Sequence, residues 1–199
     1  MKNLLILIFA LSCTYSFGCS CATPRTKEEI TRMINNADIV VEGTPLSVID
    51  KNKVLRESGN LKKEGTNILF SVTSVIKGDL NQKVIALNQW GLGNCTELYK
   101  MGNQYFIFGY EVKGFRSKKK EYNSKIKSNN TPPPLPGEKI DKNGILTTLN
   151  YDKEETDYWG KILKNYRVFT TSSCSTFHPD SEFTKTVKKQ QLSTRAKKH

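Results

Sequence analysis

The chain has 199 residues, with 31 Lys plus Arg against 19 Asp plus Glu, a formal charge of +12 and 37% apolar residues. That describes one ordinary domain with an appendage, too polar for an integral membrane protein. Histidine occurs only at His178 and His199, which excludes histidine-rich metal sites and argues against Ser-His-Asp or Cys-His catalysis. No nucleophile–base pair can be named, so the chain reads as a non-enzyme with no cofactor of its own.

The first stretch, MKNLLILIFALSCTYSFG, has a positive Lys2 and an apolar run from Leu4 to Leu11. The run is too short for a bilayer and fits a secretory signal peptide over 1–18. Ser16-Phe17-Gly18 offers small residues before a cut after Gly18, giving a mature start of Cys19-Ser20-Cys21-Ala22. A rival reading takes Ala10-Leu11-Ser12-Cys13 as a lipoprotein box with Cys13 acylated, or places the lipid on Cys19. The expected location is therefore extracellular or periplasmic, with a lipid-anchored envelope protein as the alternative.

Setting Cys13 aside leaves Cys19, Cys21, Cys95 and Cys174, an even number that reads as two disulfides in an exported chain. Three pairings exist. A Cys19–Cys21 bridge is disfavoured because one intervening residue makes a strained ring. The two N-terminal cysteines then reach separately to Cys95 and Cys174, each bridge stabilising by about 4–5 kcal/mol in the chain-entropy account. C-x-C is not a usual zinc spacing.

Thr26–Asn35 predicts a short helix, with Ile30, Met33 and Ile34 on one face and Thr26 and Glu29 at capping-box spacing. Asp38–Asp50 is β-rich, and Pro45 marks an edge or bulge. Lys51–Glu64 reads as an exposed loop. Thr66–Lys77 alternates, with Ile68, Phe70, Val72 and Ser74 on one face and Leu69, Ser71, Thr73 and Val75 on the other. Lys83–Trp90 predicts a further strand, followed by a tight loop at Gly91–Cys95. Gln104–Val112 predicts a long aromatic strand with a bend at Gly109. Trp90, Tyr105, Phe106 and Phe108 read as barrel core.

Lys113–Tyr166 reads as a long, partly mobile insertion. Its first part, Lys113–Lys127, carries seven basic residues and one acid, and Thr131–Gly137 is a polyproline-like spacer. Gly144–Leu149 predicts a strand and Glu154–Leu163 a short helix. Glu154, Glu155 and Asp157 form no paired-carboxylate site. Arg167–Cys174 predicts the last strand, and Asp180 or Ser181 caps a helix to about Gln190. The domain is read as 19–182 with the insertion at about 113–166, and 183–199 as a basic C-terminal tail. Four to six strands with few helices predict a small closed β-barrel.

The basic residues Lys118, Lys119, Lys120, Lys188, Lys189, Arg195, Lys197 and Lys198 are candidates for binding a polyanion or a membrane surface. A solvated charged surface is the usual explanation of such runs, and export argues against nucleic acid as a partner.

A free Cys19 at a mature N-terminus would set its α-amine beside its own carbonyl, and those two atoms form a five-membered chelate with a metal ion. Such a terminus can fill the open coordination position of a catalytic zinc on another protein. On spacing alone, the same residues read as two disulfides near a tethered end. Cys19-Ser20-Cys21, Ala37–Val41 (ADIVV), Phe70–Gly78 (FSVTSVIKG), Asn94-Cys95, Gln104–Gly114 (QYFIFGYEVKG) and Thr171–Cys174 (TSSC) together resemble the N-terminal domain of the tissue inhibitors of metalloproteinases. That family belongs to the netrin-like modules. The likeness covers Cys19–Val112 and Arg167–Phe177.

The resemblance implies a mainly β, OB-type closed five-stranded barrel with flanking short helices, and Cys19–Cys95 and Cys21–Cys174 bridges. It implies an inhibitory ridge of Cys19, Ser20, Cys21, Ala22 and Thr23 beside Leu92, Gly93 and Asn94. It also implies chelation of a zinc metalloproteinase's metal by Cys19, Ser20 reading the adjacent pocket, and a monomeric inhibitor. The family's third barrel disulfide has no cysteines here, and Lys113–Tyr166 is longer than the family's corresponding connection. The alternative is a non-inhibitory netrin-like module that engages polyanions or proteins through its basic segments.

Overall fold

The computed structural model describes residues 21, 24, 26–51, 63–89, 95–118, 139–148 and 151–196. Helix α1 (Lys27–Asn36) begins at a complete capping box: Glu29 N–H donates to Thr26 Oγ1 at 3.2 Å and Thr26 N–H to Glu29 Oε2 at 3.1 Å. Ile30 and Ile34 form its buried face. At its other end the Lys77 ammonium donates to the carbonyls of Ile34, Asn35 and Ala37 at 2.8, 2.9 and 2.5 Å. A cation there satisfies orphan carbonyls and opposes the helix dipole.

After α1 come β1 (Ile39–Val48), β2 (Glu64–Gly65), β3 (Ile68–Lys77), β4 (Val84–Asn88), β5 (Tyr99–Lys100) and β6 (Tyr105–Val112). Then follow β7 (Gly114–Ser117), β8 (Lys139–Ile140), β9 (Ile145–Thr148), α2 (Lys153–Leu163), β10 (Val168–Thr170), β11 (Thr176–Phe177) and α3 (Glu182–Ala196). Pairing runs β1–β3–β4–β10–β6 and closes from β6 back to β1; the β4–β10 contact is parallel and the rest antiparallel. Counting barrel strands alone, the ring order is first, second, third, fifth, fourth. The chain is thus mainly β, an OB-type closed five-stranded barrel with flanking helices.

β1 belongs to two neighbours at once because it is sharply coiled, with register shifts at three points along β3. One lies between Pro45 and Ser47, where the proline suggested a bulge, and it leaves Leu46 53% exposed. At Gly43 a Cβ would fall 1.9 Å from the Ser71 carbonyl oxygen, so only glycine allows β1 to cross β3 there. The shift between Glu42 and Gly43 skips Thr73 and swaps the faces of β3 beyond it. Val75 therefore packs on the same interior cluster as Val72, not on the face that simple alternation gave it. Gly109 marks crowding more than a bend: a Cβ there would lie 2.9 Å from Ile39 Cγ1 and 3.1 Å from Phe169 Cβ.

The barrel interior holds Ile39, Val41, Ile68, Phe70, Ile85, Leu87, Tyr99, Ile107 and Phe169. Phe106 and Phe108, expected in that interior, point the other way. They join Val40, Ile30, Ile34 and Val187 in a second core on the outer wall beneath α1 and α3. Period-2 alternation puts Tyr105 and Ile107 inside and Phe106 and Phe108 outside, and the helices make both faces apolar.

The insertion is more ordered than its composition suggests. β7 pairs with β9 in parallel and β8 with β9 antiparallel, and α2 packs beside them. Asp152 caps α2 by accepting from Glu155 N–H at 2.8 Å. Trp159 and Leu146 are fully buried with Tyr151 against Ala86, Val112 and Val168 on the barrel wall. Tyr158 Oη donates to the Ile49 carbonyl at 2.7 Å, and Lys51 pairs with Glu154 at 3.0 Å. The polyproline-like Thr131–Gly137 lies outside the described residues, as does most of the Lys51–Glu64 loop.

The boundary at 182/183 falls at the start of a helix rather than of a tail. α3 runs to Ala196, past the expected Gln190. Thr184 N–H donates to Ser181 Oγ at 3.2 Å, confirming Ser181 as the cap. Phe183 stacks on Phe177 with centroids 4.4 Å apart, and Thr184 and Val187 are fully buried. Among the described residues no helix is long and apolar enough to cross a membrane.

Candidate functional site

The described cysteines meet at one end of the barrel. Cys21 and Cys174 form a disulfide, Cα to Cα 5.0 Å, across 153 positions of sequence. The bridge is compatible with an oxidising compartment. Cys174 lies in a short 3-10 turn, Ser173–Ser175, that follows β10. That turn also grips Cys95, whose carbonyl accepts from Ser173 N–H at 2.9 Å and from Ser173 Oγ at 3.0 Å. Cys21 Sγ is 3.8 Å from the same Ser173 hydroxyl. Cys95 is itself disulfide-bonded, and its partner lies outside the described residues. The N-terminal segment, the connection before β5 and the turn after β10 are thus tied at one point.

Beneath this point Tyr99 Oη sits between Thr171 Oγ1 at 2.8 Å and Thr176 Oγ1 at 3.1 Å. Full burial pushes the Tyr99 hydroxyl far above its ordinary value, so it keeps its proton and can serve both threonines. Gln89, at the end of β4, closes the base of the following loop. Its Nε2 donates to the carbonyls of Thr66 and Glu97 at 2.8 Å each, and its Oε1 accepts from Glu97 N–H at 2.6 Å. Gln89 N–H donates to Asn67 Oδ1 at 2.8 Å, and Asn67 Nδ2 donates on to Asp50. Burial raises the carboxyls of both Asp50 and Glu97 above the usual carboxylate range.

Of the expected ridge, Cys21 is present and exposed. Cys19, Ser20, Ala22, Thr23, Leu92, Gly93 and Asn94 lie outside the described residues. The basic candidates fall on separate elements. Lys118 follows β7, half-buried, its N–H on the Thr148 carbonyl at 3.0 Å. Lys188, on α3, pairs with the Glu42 carboxylate and lies 6.0 Å over the Phe106 ring, while Lys189 is exposed. Arg195 lies on α3; Lys119, Lys120, Lys197 and Lys198 lie outside the described residues.

Sequence reading passed over Gln89, Asn67, Tyr99 and Ser173. The one signal for them was polar residues, Asn88-Gln89, ending an apolar strand. Neither a protein-family model nor a curated protein matches the sequence.

Proposed function

We propose that this chain is an inhibitor of zinc proteases that acts through its mature N-terminus, in the manner of the inhibitors it resembles. The reading rests on one observation: the Cys21–Cys174 disulfide anchors the N-terminal segment, beside the Ser173–Cys95 clamp, at one end of an OB-type barrel. Processing after Gly18 frees the Cys19 α-amine. Its nitrogen and carbonyl oxygen take the open position on the protease's zinc, displacing the water that would attack a peptide. Ser20 enters the adjacent specificity pocket. Anchoring the segment at Cys21 limits the ordering entropy lost on docking. Ser173, Gln89 and Tyr99 act at one remove, as positioning residues.

Intact mass with N-terminal sequencing comes first, then titration against a panel of zinc endopeptidases. Expected are a start at Cys19 and stoichiometric inhibition that α-amine acetylation abolishes. A start at Cys13, or an acylated Cys19, would sink the mechanism. The amine coordinates only when neutral, and an α-amine titrates at about 7.7–8.0. Inhibition of a pH-tolerant protease therefore strengthens as pH rises through that range.

A further inference from the structure

Away from the disulfide end, a polar cleft of about 280 Å³ opens where the insertion rejoins the barrel. It lies between the end of β6, the last turn of α2 and the start of β10. Arg167, Lys113 and Lys164 line it against a single carboxylate, Glu111. Arg167 is held in one orientation: Nε donates to Glu111 Oε1 at 2.7 Å, Nη1 to the Asp79 carbonyl at 2.5 Å, and the guanidinium lies 5.2 Å over the Phe169 ring. Lys113 is fixed by its backbone, which donates to the Gly144 carbonyl at 2.8 Å. Its ammonium stays 3.8 Å from Glu111 and 65% exposed. Lys164 caps α2 and is exposed. Glu111 is shared between two of the three cations, so the walls keep an excess of positive charge. The amides of Gln82 and Asn165 add neutral donors at the rim.

We propose that this cleft binds a tetrahedral oxyanion, a sulfate or phosphate monoester carried on a small saccharide. Its volume is near the low end for small-molecule sites and suits one sugar ring with its ester group. The preoriented guanidinium offers a directional donor, and the two ammonium groups act as point charges. The site is remote from the cysteines and stands or falls separately from the inhibitor reading.

The test is an NMR titration of the full mature chain with glucose 6-sulfate, glucose 6-phosphate and plain glucose. Expected are saturable shifts of the Gln82 and Asn165 side-chain amides with either ester and none with glucose. The tighter ester identifies the natural source. The variant K113Q/K164Q should weaken ester binding about three- to tenfold with its melting temperature intact, as should added salt. The control K27Q/K185Q, on α1 and α3, should leave binding unchanged. Absence of saturable shifts, equal shifts with glucose, or equal weakening in the control pair would overturn the site.

Discussion

Replacing Cys21 and Cys174 together with serine removes the bridge that spans 153 positions. A loop of that length restricts the unfolded chain by about 5 kcal/mol at 25 °C in the chain-entropy account. The bridge made by Cys95 persists in the variant; joined to Cys19, as the resemblance implies, it leaves a loop of about 80 residues and lowers the figure to about 4.5 kcal/mol. With a urea slope of about 2 kcal/mol/M, the unfolding midpoint of C21S/C174S should fall by about 2 M under oxidising conditions. The slope itself should rise, because the unfolded chain without that cross-link is less compact and exposes more surface. The same variant cuts the tie between Cys21 and Cys174 beside Ser173, so inhibition should weaken even without urea, where the barrel remains folded. Equilibrium unfolding followed by circular dichroism, with a protease titration on the same sample, reads both effects. A midpoint within about 0.5 M of the parent would refute the assigned loop closure. Full inhibition by a folded variant that lacks the Cys21–Cys174 bridge would refute the role given to that tether.

Trp159→Ala empties the centre of the insertion's core and should cost about 3–5 kcal/mol, read as a lowered melting temperature; an unchanged one would mean the insertion does not pack on the barrel. Tyr99→Phe strands the Thr171 and Thr176 hydroxyls and should cost about 1–3 kcal/mol by urea unfolding. Gln89→Ala leaves both backbone groups of Glu97 and the Thr66 carbonyl without their partner; it should speed hydrogen exchange at Glu97 and destabilise by about 2–4 kcal/mol. Asp50 is raised by burial in the folded state, so the folded chain holds its proton to higher pH than the unfolded one. Stability from this group is full below the ordinary carboxylate range and falls as pH rises through the folded value. Asp50→Asn keeps the acceptor oxygen for Asn67 and Thr66 and removes that loss. It should stabilise at neutral pH and flatten the acid side of the stability profile; destabilisation at neutral pH would contradict this account.

Local chemistry along the chain carries the elements. Thr26 and Glu29 specify where α1 starts, and Ser181 where α3 starts, because a cap needs only residues three positions apart. Alternation finds β3, and Pro45 marks one point where β1 bends. The even set of cysteines anticipates a bridge, and the one between Cys21 and Cys174 is compatible with an oxidising compartment. Each of these is a short-range pattern.

Other features depend on residues far apart in sequence. Phe106 and Phe108 are as apolar as Ile107, and only the docking of α1 and α3 decides that they serve an outer core. The lysines of the insertion and of α3 mask segments whose inner faces bury Trp159 and Val187. Composition averages over both faces and cannot see that division. Gln89, Asn67 and Tyr99 take their roles from partners brought up by other strands, and a polar side chain is read from sequence as solvent-facing until a fold supplies its bonds. The sequence thus determined the main barrel strands, the starts of the helices and which cysteines were available. The closed ring, through its register and the two helices laid on its wall, decided which faces are buried and which ends meet.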